Sequence, residues 1–435
     1  MLRTTEGRAL YTPQRLFGEV GSSSEILSHE PFLERARLQR EQEQDSSARL
    51  AMGAYLVARL VDKLVTLSAE AEGAEGFAWQ LEAVRRHVGE LPADAPETAH
   101  LNGVVSAIST SECPTPNLWK NLTAYACFLE HEGRLAESLE MLSLAARSQG
   151  DATAPTDFAA YALFAGRLNR LLARWDDAMS CYSAAEEAAA HTGDRVSVLR
   201  GRLGKGAVQR GKGNLPAARM AAEDVAREAA ELCLPDAQAL AYADLGSVYN
   251  LQGLRLEALE AHYRAFQLYP DPMQRMRTLG DLGIGLAEIG AYDAARLAFQ
   301  IVADSNASVL VRGNAVLEMM DLESLVGNRV AFERCRAAVE DFRGRMSPSM
   351  TVDYHYKLGS GLARFGQHGR AHAALTEALA LAERHHLNAW YFKVENALAD
   401  LAVRRDEHQI PEPSELSGAP VVREMEIGLR EYALR

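Results

Sequence analysis

The sequence predicts an all-α protein: an α-α superhelix of about seven stacked helical hairpins, with a helical cap or module at its N-terminus. Three observations predict it. Alanine and leucine abound, proline accounts for only 15 of 435 residues, and alternating β-branched runs are nearly absent, so composition favours helix. Apolar residues recur at spacings of three and four, the period of one helix face. Small turn residues return at a near-constant interval: Gly133, Ala173, Gly213, Gly253, Gly290, Gly327 and Gly366 are separated by 40, 40, 40, 37, 37 and 39 residues.

Residues 1–112 read as an N-terminal helical region. A polar leader, 1–28, contains "GSSSE", which reads as loop or cap. One long helix is expected over about 30–72, charged at first, then striped with Leu50, Ala54, Val57, Val61, Leu64 and Leu67. Two further helices, "GFAWQLEAVRRHVGEL" and "ETAHLNGVVSAIST", are split by "PADAP". That connection is short for a domain linker, which favours a cap on the array over a separate module.

Residues 113–408 carry the repeat. Its clearest unit is "YADLGSVYNLQGLRLEALEAHYRAFQLYP". Tyr242, Leu245, Gly246 and Tyr249 share one helix face, Gly253 ends that helix, and Ala258, Ala261, His262, Ala265 and Leu268 stripe the next. Pro270 stops it, because proline cannot continue a helix. Gly246 and Ala258 are small where the two helices cross. The pattern returns with Leu122, Tyr125, Ala126, Leu129 and Leu142; with Gly166, Ala178, Tyr182 and Ala185; and with Gly206 and Ala218. It returns again with Leu279, Leu282, Gly283, Leu286, Ala295 and Phe299, and with Leu358, Gly359, Leu362, Ala371 and Ala378. A degenerate unit covers about Val311 to Phe342. "LNAWYFKVENALADLAVRR" reads as a closing helix. Residues 409–435 read as a proline-containing linker and a last helix with Val421, Met425, Ile427, Leu429 and Leu434 as its apolar candidates, packing on its own array or on a second copy.

The order Tyr-x2-Leu-Gly-x2-Tyr, then Ala-x3-His, then Pro resembles the tetratricopeptide repeat, with Tyr242 and His262 where that signature has Trp and Phe. The resemblance covers about Pro116 to Arg405. The family repeat has about 34 residues, so the helices here are longer. The resemblance implies a concave groove lined by the first helix of each pair, and a non-enzymatic scaffold or adaptor that holds a protein or peptide there. Some family members grip a peptide C-terminal carboxylate with a Lys/Asn/Arg clamp; that set is not reproduced in order here.

Other chemistry is weaker. A net charge of −13 opposes nucleic acid and anionic membranes as partners. Cys113, Cys127, Cys181, Cys233 and Cys335 form no CxxC, so neither a disulfide frame nor a zinc site is expected, and the cytoplasm is the expected compartment. "GAVQRGKG" has phosphate-loop spacing but puts Gly213 where Ser or Thr should hold magnesium. His368 and His372 are helically spaced, with His385 and His386 following, but lack a placed third ligand. Trp79, Trp119, Trp175 and Trp390 are expected in the core. No catalytic, cofactor or metal residue is expected.

Helical phase instead selects groove-facing polar residues: Arg167, Arg170, Arg200 and Arg210, then Ser247, Asn250 and Arg277. Clustered arginines in an acidic chain point to an acidic partner or one with a free C-terminal carboxylate, because guanidinium binds carboxylate as a planar fork. A homodimer through the last helix is a further expected partnership. The alternative to a scaffold is an intracellular peptide-sensing regulator with residues 1–112 as its output module.

Overall fold

The computed structural model describes residues 16, 29–41, 45–67, 74–109, 116–149, 154–343, 346–385, 387–403 and 414–434. The expected leader apart from Leu16, Cys113, His386 and residues 409–413 of the expected linker lie outside them. The described residues contain no strand. They divide into two compact units, Met1–Lys212 and Gly213–Arg435.

In the first unit the expected single helix over 30–72 is instead two, α1 (Glu30–Glu41) and α2 (Asp45–Leu67), packed against each other. Folding back lets Phe32 and Ala36 of α1 bury beside the stripe of α2. α3 (Ala74–Gly89) and α4 (Pro96–Ser109) follow, then the hairpin α5 (Pro116–His131) and α6 (Leu135–Ser148), the hairpin α7 (Pro155–Leu171) and α8 (Trp175–Thr192), and α9 (Arg195–Gly211). α4 packs on α5, while α1 and α2 both reach α6. The N-terminal helices therefore continue the packing of the first hairpin, within one apolar core.

Ionic groups fasten the same seam. Buried Glu97 of α4 receives Arg134 at 2.8 Å, Arg35 at 3.0 Å and the Tyr125 hydroxyl at 2.5 Å. Burial alone would raise the Glu97 pKa, but Arg134 and Arg35 outweigh it and hold it at about 2. His29, ahead of α1, lies between Glu140 of α6 and Asp62 of α2.

The second unit runs α10 (Leu215–Glu231), α11 (Pro235–Leu251), α12 (Arg255–Leu268), α13 (Pro272–Glu288), α14 (Tyr292–Asp304), α15 (Val309–Leu325), α16 (Arg329–Val339), α17 (Pro348–Arg364), α18 (His368–Arg384) and α19 (Asn388–Val403). Four hairpins stack there: α11/α12, α13/α14, α15/α16 and α17/α18. The last helix, α20 (Pro420–Ala433), folds back onto α12 and α14 of its own chain. It buries Val422, Met425 and Leu429, and sets Tyr432 edge-on to Phe266. Ile427 and Leu434, expected on its apolar stripe, are exposed.

All seven turn residues take a left-handed φ: 75° at Gly133, 56° at Ala173, 82° at Gly213, 75° at Gly253, 84° at Gly290, 76° at Gly327 and 71° at Gly366. The next N–H then reaches back five residues, as in Leu254 N–H to the Tyr249 carbonyl at 2.9 Å and Gln367 N–H to Leu362 at 2.8 Å. This satisfies carbonyls that a helix end would leave open.

Small residues do the rest. A Cβ on Gly246 would lie 2.6 Å from the His262 ring, and one on Gly283 would lie 2.6 Å from Phe299. In these two hairpins a ring of the second helix thus lies directly on the backbone of the first. Trp175 plays a related part, since a Cβ on Gly211 would meet it at 2.5 Å. Trp119 and Trp390 pack partly against cores, but Trp79 is 74% exposed. The core stripe of α3 is Phe77, Leu81, Val84 and Val88, and Trp79 lies two residues off it. On a helix that offset points away.

Gly246→Leu should lower stability by about 1–3 kcal/mol, through overpacking against His262; an unchanged melting temperature would refute the crossing. His262 itself is held at a pKa of about 4 by burial, below its ordinary 6.5. The folded state favours the neutral ring, so stability is full above pH 6.5 and falls as pH drops towards 4. His262→Phe, matching Phe299 of the next hairpin, should raise the melting temperature more at pH 5 than at pH 8.

Candidate binding surface

The first helices of successive hairpins touch along one face: α7 with α9 in the first unit, and α13 with α15 with α17 in the second. Fixed turns place side chains at equal register on each. Counted from the turns, the candidates occupy three register positions. Arg170, Arg210 and Asn250 each stand three residues before their turn residue, Arg167 and Ser247 six before, and Arg200 and Arg277 thirteen before.

Their environments differ. Arg167 donates to Glu130 at 2.7 Å and stacks on Phe164 at 4.8 Å. Arg170 is half-buried and its Nε has no hydrogen-bond partner among the described residues. Arg200 is exposed near Asp194, the N-cap of its own helix. Arg210 is half-buried and engaged with a neighbour. Ser247 donates back to the Ala243 carbonyl at 3.1 Å, and Asn250 is half-buried beside it on α11. Arg277 is exposed and faces Asp281. The first unit thus brings Arg167 and Arg170 of α7 beside the helix that carries Arg200 and Arg210. Ser247, Asn250 and Arg277 belong to the second unit.

A fourth column was missed. Asp244, Asp281, Glu318 and Lys357 each stand nine residues before Gly253, Gly290, Gly327 and Gly366. Lys357 is buried and donates to Glu318 at 2.6 Å and to Asp353 at 2.8 Å. Burial would lower its pKa, but those carboxylates raise it. Glu318 is nevertheless pushed up, by burial and by Asp353 and Asp321, against the pull of Lys357. Asp281 rises to about 6, through desolvation and then the Glu318 charge, with Arg277 opposing. Asp281 is exposed to solvent. Arg364 pairs with Asp321 at 2.5 Å, and Lys393 lies 4.5 Å and 4.6 Å from the Tyr356 and Trp390 ring centres. The signal was in the sequence: three carboxylates at intervals of 37 residues, in step with the turns.

Asp281→Asn tests this field. The raised pKa means the folded state favours the protonated acid, so stability falls as pH rises through about 6. The amide, which mimics the protonated form, should raise the melting temperature at pH 8 and change little at pH 4; equal shifts at both would contradict the crowding of charge.

No family model and no curated protein matches the chain. Solved structures do resemble it. A Rap protein complexed with competence and sporulation factor is 9% identical, with a TM-score of 0.43 over 83% of this chain and 98% of that one. The apo form of RapI is 11% identical, with a TM-score of 0.42 over 80% of this chain and 99% of that one.

Proposed function

We propose that this tetratricopeptide-like repeat protein is a non-enzymatic scaffold that holds a peptide or protein segment along its first-helix faces. The observation that carries the reading is the alignment of polar side chains at equal register on successive helices. Such columns present recognition groups at repeating intervals to an extended chain. They are also chemically distinct. The arginines of the first unit, Arg170 and Arg210 at one register with Arg200 at another, suit an acidic segment or a terminal carboxylate. The Asp281–Glu318 stretch suits a lysine or arginine of a partner, because an added cation relieves two crowded carboxylates. The compartment proposed is the cytoplasm, in keeping with the unpaired thiols Cys127, Cys181, Cys233 and Cys335.

A second reading makes residues 1–112 an output module that senses occupancy of the array. The seam at Glu97, Arg35 and Arg134 favours it, because an ionic seam specifies one docking geometry and is sensitive to loss of a single partner.

Capture of native partners on the immobilised full chain separates these possibilities. Arg200→Glu with Arg210→Glu should abolish capture of an acidic or carboxylate-ended partner, and Asp281→Lys with Glu318→Gln, which keeps an acceptor for Lys357, that of a basic one. Helix content should persist in both, and capture should weaken with salt. If both double variants retain every partner, the first-helix faces are not the binding surface.

A further inference from the structure

The repeat is interrupted once, and a cavity results. α16 has 11 residues, whereas the other second helices of this unit, α12, α14 and α18, have 14, 13 and 17. Beside it lies an open pocket of about 390 Å³, lined by α14, α15, α16 and the residues just after it. That lies within the range of small-ligand sites.

The wall is apolar: Val309, Val316, Met319, Cys335 and Phe342. Gly313 forms the back, where a Cβ would lie 2.6 Å from Met350 and 2.8 Å from Phe342. This face of α15, with Arg312, Val316 and Met319, is not the one that carries Glu318 and Asp321, so the cavity is separate from the first-helix column.

The lining carries both signs of charge, Arg312 and Arg334 with Asp304 and Asp341. Gln300 donates to Asp304 at 2.7 Å, and Asp341 already interacts with a neighbour. Arg312 donates its Nε to the Ala303 carbonyl at 3.0 Å, which orients the guanidinium while its terminal nitrogens have no partner among the described residues. Arg334, exposed at the rim, has no hydrogen bond or ion pair among the described residues. Neither Arg312 nor Arg334 is in an ion pair among the described residues, so their planar forks are open to a carboxylate carried on an apolar body.

We infer that this cavity binds such a carboxylate, its charge held by Arg312 and Arg334 and its apolar part against Val316, Met319 and Phe342. The source is either a small organic acid or the C-terminal residue of a peptide. Both present the same group.

Calorimetry on the full chain tests the inference, with octanoate, octylamine and octan-1-ol as matched probes. A pentapeptide ending in leucine, as free acid and as amide, is the second set. Octanoate or the free-acid peptide should bind saturably at one site, and octylamine and the amide should not. Binding of octanoate alone assigns a small acid; displacement of octanoate by the free-acid peptide assigns a chain terminus. Arg334→Glu should weaken binding by about tenfold or more. Ala338→Trp, at an exposed rim position, should fill the mouth and abolish it, with circular dichroism unchanged in both variants. Equal binding of octanoate and octylamine, no binding of either carboxylate, or full affinity in Arg334→Glu would each overturn the assignment.

Discussion

A residue in the left-handed backbone region, returning every 37 to 40 positions, is the constraint on which the array depends. Only there can a first helix end, satisfy its last carbonyls and reverse within a few residues. The reversal in turn fixes which residues of the two helices cross. That crossing requires Gly246 and Gly283 to lack side chains beneath His262 and Phe299. Ala173 shows how strict the conformation is, since the chain accepts φ 56° there at a cost of about 1 kcal/mol. Once turn and crossing are fixed, side chains 37 residues apart come into register, and a column of charges follows from backbone geometry.

Charge is then used in two ways. At the seam between the N-terminal helices and the first hairpin, carboxylates are answered: Glu97 has two arginines and a tyrosine, and Glu137 has Arg35 and Arg134. Those groups specify docking and are closed to a ligand. On the first-helix face of the second unit the balance differs. Lys357 answers Glu318 and Asp353, while at Asp281 the pull of Arg277 is outweighed by desolvation and the Glu318 charge. Incomplete compensation costs stability in the unoccupied protein and is recovered when a partner supplies the missing charge.

Much of this was legible in the sequence. The turns were readable because glycine is the economical residue at positive φ, and even Ala173 was found by interval alone. The hairpins followed from their apolar stripes. What was not legible had physical causes. The break between α1 and α2 carries no glycine or proline, so a local reading runs straight through it; the reversal is a tertiary effect. Trp79 looks like core by residue type, but helical phase faces it outward. The arginines stand out because they are exceptions in an acidic chain. Asp244, Asp281 and Glu318 blended into that background although they keep a stricter interval. The cavity at α16 comes from a missing turn of helix, which a degenerate repeat does not reveal until its neighbours are placed.

The claim that repeat register alone sets the chemistry of the face is tested most directly by titrating the Asp281 carboxyl by NMR, in the parent protein and in Glu318→Gln. These two residues are on different hairpins and meet only if the register is as described. The account predicts a pKa near 6 in the parent, falling towards the ordinary 3.8 in the variant as the neighbouring charge is removed. An ordinary value in the parent, or a raised value untouched by Glu318→Gln, would contradict it.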